Sequence, residues 1–283
     1  MKETRAAYLP ISKLHPFEEH PFKVTDNEEM DQLTWSILTQ GLLTPLVVRP
    51  LDNGEYEVIS GHRRLHACKK AGIETVPALI YAIDRDAAAI ALVDSNLHRE
   101  SILPSEKAYA YKLKLEAMNR QGQRTDLTST QVVSKLRTNE IVGEAGGDSR
   151  ETVRRYIRLT NLIPGILGKV DEGKIALTPA VELSYLTEAE QKDLLETMES
   201  EDCTPSLSQA IQLKQLSQAE KLDMDTIFGI LTQPKANQRE KISFRADEVR
   251  KFFPKNYTPA QMQEVILKLL GEYQRKRQRV QER

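Results

Sequence analysis

Residues 45–60, PLVVRPLDNGEYEVIS, are the segment that most constrains the fold. Two apolar runs flank the turn sequence DNG (residues 52–54), and asparagine and glycine both tolerate positive φ values, so the segment predicts a β-hairpin. The second strand runs directly into GHRR (residues 61–64), and a basic helical pattern follows as far as Gly72. Strands and helices that alternate this closely indicate a mixed α and β domain.

The rest of the chain changes from mixed to helical character. Residues 6–17 and 75–83 are apolar and extended in pattern, whereas residues 27–41 carry apolar side chains at helical spacing and end at Gly41. The apolar residues of that predicted helix are Met30, Leu33, Ile37 and Leu38. From Arg85 onward the pattern is almost wholly helical. We therefore predict an α+β domain at 1–120, a helical domain at 121–200 and a mostly helical C-terminal region at 201–283, with residues 122–130 as an exposed linker.

Composition excludes several classes of protein. The 283 residues carry 40 basic and 41 acidic side chains, so any nucleic-acid contact must come from local clusters of charge. The two cysteines, Cys68 and Cys203, form no CxxC pair, which argues against a zinc knuckle or a disulfide framework. No apolar leader and no membrane-spanning run is visible, so we expect a cytoplasmic protein without a membrane partner.

The GHRR sequence has the chemistry of an anion site. Free amides at a helix start attract an anion, and Gly61 lets a phosphate approach the backbone. Arg63 and Arg64 add planar guanidinium groups that hold phosphate oxygens in pairs. The alternative is a solvated basic helix start. His62 and His66 have the spacing of zinc ligands, but no third ligand stands nearby in the sequence, so ordinary polar roles are favoured.

Residues 139–164, NEIVGEAGGDSRETVRRYIRLTNLIP, have the layout of a helix-turn-helix. A short helix with Ile141 and Val142 precedes the turn Gly146-Gly147, Gly143 allows close crossing of the helices, and Asp148 or Ser149 caps the next helix. Its inward stripe is Val153, Ile157 and Leu162. The predicted DNA-binding residues are Ser149, Arg150, Thr152, Arg154, Arg155 and Arg158. The alternative is a solvated helix that only packs on its neighbours.

Three motifs occur in the order expected of one family. The segments SILTQGLLTPLVVRP, GHRRLHACKKAG and SNLHR, followed by the helix-turn-helix, resemble ParB-family partition proteins over about residues 8–165. The resemblance implies a ParB/sulfiredoxin-like α+β domain followed by an all-α helix-turn-helix domain. It also implies CTP and magnesium as cofactors, a homodimeric sliding clamp on double-stranded DNA with a centromere-like site, and a ParA-type ATPase as partner.

The resemblance also implies which residues bind the nucleotide. These are Gly41, Thr44, Pro45, Gly61, His62, Arg63, Arg64, Ser95, Asn96 and Arg99, with Asn96 also near magnesium. Two family glutamates are replaced, by His62 and Ser95, and a family glutamine is replaced by His98. Asp94 is adjacent to Ser95, but one helical step turns a side chain by about 100°. Because magnesium prefers carboxylate and phosphate oxygens, we expect weak or absent hydrolysis, at most that of a slow CTPase with no catalytic residue assigned.

Competing functions belong to other classes. The main hypothesis is a partition or plasmid-maintenance protein associated with the nucleoid or a plasmid, and the departures from the family motifs favour a mobile element. The alternative is a helix-turn-helix transcriptional regulator without a clamp cycle. An enzyme like sulfiredoxin is disfavoured, because His62 stands where sulfiredoxin has cysteine. A nuclease is also disfavoured, because the arginine motifs of this sequence carry no cluster of carboxylates. The C-terminal stripe Ile266, Leu269 and Leu270 is either a dimer contact or simple core.

Overall fold

The computed structural model describes residues 4–99, 101–125, 142–143, 146–232, 249–254 and 256–281. Five strands form one mixed sheet in the order β1-β5-β3-β4-β2. Their bounds are β1 Thr4–Pro10, β2 Leu14–Pro16, β3 Leu46–Pro50, β4 Tyr56–Ser60 and β5 Thr75–Tyr81. Pairs β1/β5 and β3/β4 are antiparallel, whereas β3/β5 and β2/β4 are parallel.

The predicted hairpin is confirmed. Strands β3 and β4 pair with Val48 opposite Val58, and Gly54 in the connecting turn has φ 78°. Consecutive residues of β4 point to opposite faces, so Val58 and Ile59 are both buried but lie in different apolar clusters. The sheet is therefore covered on both faces.

Helices α1 (Glu28–Gln40) and α2 (His62–Lys70) contribute to the core on the Val58 face, and α3 (Arg85–Asn96) and α4 (Pro104–Thr125) contribute to the core on the Ile59 face. Asn27 caps α1, since its side chain accepts a hydrogen bond from the Met30 amide. Gly41 ends that helix, as predicted.

The apolar residues of α1 differ in burial. Met30 and Ile37 are buried, but Leu38 is 60% exposed, and Trp35 beside it is 68% exposed. Leu38 follows Ile37 by one helical step, which turns it away from the sheet. Helix α1 therefore has an exposed apolar patch, Trp35 and Leu38.

The described residues from 146 to 232 contain six further helices: α5 Arg150–Leu159, α6 Pro164–Asp171, α7 Leu177–Leu183, α8 Glu188–Ser200, α9 Leu207–Gln218 and α10 Met224–Leu231. They share one core, to which Leu159, Ile166, Leu194, Leu213 and Ile227 all belong. The predicted boundary between 200 and 201 does not coincide with a gap in this packing. The chain divides into compact units instead at residues 233–234.

Helix α4 crosses the other predicted boundary, at residue 120. Residues 122–125 of the predicted linker belong to this helix, and residues 126–130 lie outside the described residues. Ile141 of the predicted helix-turn-helix also lies outside them.

The second unit contains helix α11 (Pro259–Gln281). Thr258 caps it, because its hydroxyl accepts from the Gln261 amide at 3.4 Å. Leu267, Leu269 and Leu270 are each more than half exposed. Among the helices of the described residues, none is long and apolar enough to cross a membrane.

Candidate nucleotide and DNA sites

Gly61 makes the junction between β4 and α2 possible. Its φ of 104° lies in the left-handed region, and a Cβ at this position would lie 2.6 Å from the Leu46 side chain. Leu46 is fully buried and cannot yield easily. The first hydrogen bond of α2 runs from the Leu65 amide to the Gly61 carbonyl at 2.8 Å, so the amides before Leu65 have no acceptor within the helix. Those amides form the positive start of α2.

The two arginines of this junction have different roles. Arg64 Nη1 donates to the carbonyl oxygens of Thr44 at 2.5 Å and Pro45 at 3.0 Å, and burial lowers the pKa of its guanidinium. Arg63 is 42% exposed and pairs with Glu29 at 2.9 Å. Arg64 therefore supports the loop after α1 from within, whereas Arg63 is accessible at the surface.

Arg99 follows α3, and its guanidinium lies 5.3 Å from the centre of the Phe22 ring. Burial lowers the pKa of Arg99; the negative charge of Glu106 raises it, and the positive charge of Arg63 has a smaller lowering effect. The surroundings of Arg99 therefore contain an acid as well as a second arginine. Because Arg99 is exposed, its planar guanidinium can bind phosphate oxygens in pairs.

His62 points toward a different segment. Its Nε2 accepts a hydrogen bond from the Phe17 amide at 3.2 Å, and its ring centre lies 3.8 Å from that of His20. Burial, with smaller contributions from His20 and Arg99, lowers the pKa of His62 to about 3. The imidazole is therefore neutral near pH 7 and is held against residues 17–22. Any effect of His62 on a nucleotide would be indirect.

Ser95 and Asn96 make their polar contacts within α3. Ser95 Oγ and Asn96 Nδ2 both donate to the Leu92 carbonyl, at 2.9 and 2.7 Å, and Asn96 is 5% exposed. Asp94 pairs at 2.6 Å with Lys114 of α4, which is almost fully buried. Asp94 is thus engaged with α4 and does not substitute for the missing acid.

The donor set at this junction suits phosphate better than magnesium. No group of three or more histidine, cysteine, aspartate or glutamate side chains that could hold a metal occurs in the described ranges. Position 62 carries an imidazole that already accepts a hydrogen bond from the Phe17 amide, and position 95 carries a hydroxyl that donates within α3. The amide of Asn96 is buried, and Glu29 is paired with Arg63. Of the described residues at the junction, the free amides of α2 and Arg63 suit a phosphate chain, and positions 62 and 95 supply no carboxylate.

Several predicted nucleotide-binding residues lie together. Thr44, Pro45, Gly61 and Arg64 are linked by direct contacts, and Arg63 and Arg99 by their charges. Gly41, with φ 74°, begins the loop that Arg64 supports. Ser95 and Asn96 show no side-chain hydrogen bond to this group among the described residues.

Sequence reasoning missed the contribution of residues 17–22. Phe17 and Phe22 are each 2% exposed, and His20 donates from Nδ1 to the Phe22 carbonyl at 2.6 Å. The aromatic and histidine content of HPFEEHPF (residues 15–22) is the sequence signal for this packing.

The predicted turn and helix at residues 146–159 are confirmed. Gly147 has φ 67°, and Ser149 rather than Asp148 caps α5, since its hydroxyl accepts from the Thr152 amide at 3.2 Å. Val153 is buried and Ile157 is packed against the same core, and Leu162 is also buried. Gly143 lies directly against the Asp148 carbonyl, where a side chain would collide.

The predicted DNA-binding arginines separate into two sets. Arg154 is 48% exposed and lies 3.9 Å from Glu151. Arg155 donates to Thr178 of α7, and Arg158 stacks at 3.9 Å on Tyr185 and donates to the Ser184 carbonyl. The half-buried residues Arg150 and Thr152 belong to the first turn with Ser149. Arg155 and Arg158 therefore also attach α5 to the helices behind it.

Cys68 offers no nucleophile to an enzymatic function. Its side chain is fully buried, and burial raises the pKa of the thiol, which keeps it protonated.

Comparison with known proteins identifies the family to which this fold belongs. The ParB N-terminal domain model matches residues 1–97. The chain is 30% identical over 268 residues to the probable chromosome-partitioning protein ParB of Vibrio cholerae, covering 88% of this chain and 85% of that protein. The fold is an α+β domain of the ParB N-terminal type followed by helices, as the motifs predicted. The chain belongs to the ParB family of chromosome-partitioning proteins.

Two solved ParB chains from Caulobacter crescentus, both truncated at the C-terminus, are also similar to it. One was solved with the centromeric parS site; it is 22% identical with a TM-score of 0.43, covering 75% of this chain and 99% of that chain. The other was solved with CTP-γ-S; it is 24% identical with a TM-score of 0.32, covering 69% and 99%.

Proposed function

We propose that this chain is a DNA-binding partition protein whose N-terminal domain binds CTP as a switch and hydrolyses it slowly or not at all. The observation that carries the proposal is the start of α2, where free amides after Gly61 and the exposed Arg63 lie next to the loop that Arg64 holds through the Thr44 and Pro45 carbonyls. Among common cytoplasmic ligands, a nucleoside triphosphate has the matching chain of negative oxygens. CTP is chosen first because the family includes a protein solved with CTP-γ-S.

Each residue of the junction has a distinct role in this proposal. Arg63, Arg99 and the amides after Gly61 bind the phosphates. Gly41, Thr44 and Pro45 contact the base and sugar, and Arg64 holds their loop in place through its two carbonyl contacts. His62 keeps residues 17–22 in place beside the phosphates.

Slow turnover follows from the charges that are missing. Positions 62 and 95 supply no carboxylate, so magnesium and the attacking water are less well positioned. Two fewer negative groups near the triphosphate also reduce repulsion, so nucleotide binding depends less on magnesium.

The helical region supplies the DNA contact. Helix α5 follows a glycine turn and is capped by Ser149, with Arg154 exposed for phosphate or base contacts. The target we propose is double-stranded DNA with a centromere-like site, and α11, with its exposed leucines, supports a homodimer. We further propose a ParA-type ATPase as a partner and a plasmid or other mobile element as the carrier of this protein.

Calorimetry with CTP, with and without DNA and EDTA, together with a phosphate-release assay, tests the switch. We expect CTP to bind even in EDTA, with very slow release of phosphate. Arg63→Ala should abolish binding, whereas Arg5→Ala, an exposed arginine on β1, should not. No nucleotide bound in the presence of cognate DNA would overturn the nucleotide site, and rapid magnesium-dependent turnover would overturn slow hydrolysis.

A genome-wide binding profile separates the clamp from the alternative regulator. A sliding clamp gives a broad signal that spreads away from its loading site. A simple repressor gives one sharp peak, and that result would contradict the clamp.

A further inference from the structure

Asp148 lies between the glycine turn and the cap of α5, and α4 holds its carboxylate from two sides. The Tyr111 hydroxyl donates to Asp148 Oδ2, and Lys107 Nζ lies 2.6 Å from the same oxygen. Tyr111 is fully buried, and the side chains of Lys107 and Asp148 are only 20% and 18% exposed. We call Tyr111, Lys107 and Asp148 the Asp148 cluster.

The surroundings of the Asp148 cluster leave little freedom. Lys107 Nζ lies 4.9 Å from the ring centre of Tyr156 on α5, and the Tyr111 and Tyr156 rings meet edge to face at 6.0 Å. Gly146 lies against the Tyr111 hydroxyl, where a Cβ would collide, while the ring carbon Cζ would be at an ordinary 3.4 Å. The turn and the first two turns of α5 are thus both in contact with the same two side chains of α4.

Partial burial makes these contacts depend on one another. A carboxylate with little access to water needs its partners, since loss of one leaves the charge poorly compensated. Burial and the nearby Asp148 charge raise the pKa of Tyr111, so its hydroxyl keeps the proton it donates. The Tyr111 hydroxyl therefore remains a hydrogen-bond donor to Asp148 at ordinary pH.

We propose that Tyr111 and Lys107 are positioning residues for DNA recognition, which fix where α5 begins by holding Asp148. This inference rests on the proposed function, because it assumes that α5 contacts DNA. Specific contacts to base edges require a fixed helix position, whereas non-specific attraction to phosphates tolerates displacement. Loosening the cluster should therefore affect specific binding more than non-specific binding.

The test uses the full chain and a duplex that the wild-type protein enriches from a random library, with a scrambled duplex for comparison. Tyr111→Phe should weaken binding to the enriched duplex about tenfold and change binding to the scrambled duplex by less than about twofold. Tyr109→Phe, an exposed tyrosine on the same helix, is the matched control and should change neither. Equal losses on both duplexes, with a lowered melting temperature, would indicate a purely structural role and overturn the inference.

A second variant pair tests the contact itself. Gly146→Ala forces the Tyr111 hydroxyl away and should weaken specific binding in the wild-type background. In the Tyr111→Phe background that hydroxyl is absent, so adding Gly146→Ala should cost less than about twofold more. Gly147→Ala, which is strained by its positive φ and not by contact with Tyr111, should show no such relief.

The outcomes separate this inference from the function beneath it. If the wild-type chain enriches no duplex, both the proposed function and the inference are overturned. If it enriches one and Tyr111→Phe binds it as tightly as wild type, the inference alone fails.

Discussion

The nucleotide junction and the α5 helix each carry two adjacent arginines, and the two pairs are divided in the same way. On α2, Arg64 donates to carbonyls of the loop after α1, while Arg63 is exposed beside Glu29. On α5, Arg155 donates to Thr178, while Arg154 is exposed. One member of each pair supports the fold, and the other is available to a ligand.

Helix geometry explains the division. Neighbouring residues on a helix point about 100° apart, so in a helix packed on one side the two guanidinium groups have different surroundings. Two adjacent arginines in a helical sequence therefore predict one contact to a phosphate rather than two. The experiments below test whether the exposed and supporting arginines differ as this comparison requires.

The largest effect is expected at Arg64. Arg64→Ala removes the half-buried guanidinium group and its two hydrogen bonds to the Thr44 and Pro45 carbonyls. We expect this to lower the free energy of unfolding by about 2–4 kcal/mol and to abolish CTP binding. Arg63→Ala should also abolish CTP binding but lower that free energy by less than about 0.5 kcal/mol, because its ion pair is exposed. Urea denaturation and calorimetry on both variants measure the difference. Equal stability of the two variants would contradict the assignment of Arg64 as the supporting residue and Arg63 as the exposed one.

The pair on α5 gives the next effect. Replacing Arg154 and Arg155 together should abolish specific DNA binding and leave the fold intact. Singly, Arg154→Ala should lower the salt slope of DNA binding by roughly one without changing stability. Arg155→Ala should lower the free energy of unfolding by about 1 kcal/mol, because the hydrogen bond to Thr178 is lost. Salt titrations and melting curves would contradict this division if Arg154→Ala were the less stable variant.

A smaller gain is expected from restoring an acid at position 95. Ser95 is exposed and bonded only within α3, so Ser95→Glu should be tolerated. It should raise phosphate release from CTP about two- to fivefold, because a carboxylate helps to hold magnesium. Ala91→Glu, one turn earlier on the exposed side of α3, is the control and should have no effect. Similar turnover in both variants would remove the proposed reason for slow hydrolysis.

A further effect concerns the pH dependence of stability, and it follows from His62 in the junction. The pKa of His62 falls from its ordinary 6.5 to about 3 on folding, so between these values the unfolded chain binds a proton that the folded chain does not. Stability is therefore full above pH 6.5 and declines as the pH falls toward 3, by about 1–2 kcal/mol between pH 7 and pH 5. The pKa of His20 is lowered in the same direction.

His62→Gln keeps an acceptor for the Phe17 amide and should flatten this decline, measured as the urea midpoint at both pH values. Helix α5 contains no histidine, so its own packing should show no comparable dependence. An unchanged pH profile in His62→Gln would show that His62 is not the group responsible.

Local rules made much of the fold predictable. The DNG turn, the Gly61 junction, the end of α1 at Gly41 and the glycine turn before α5 all follow from φ preferences and capping within a few residues. The inward positions of Arg64, Arg155 and His62 could not be found in this way. His62 meets Phe17 across 45 residues and Arg155 meets Thr178 across 23, so these contacts depend on how distant segments pack.

The exposed patch on α1 has a practical consequence for spectroscopy. Trp35 is the chain's single tryptophan and is mostly in contact with solvent, on the helix whose Glu29 pairs with Arg63. Intrinsic tryptophan fluorescence therefore comes from one known place, and its wavelength and quenching report the solvation of α1 alone. Any ligand or second copy that covers this helix can be followed in real time on the unlabelled, unmutated protein.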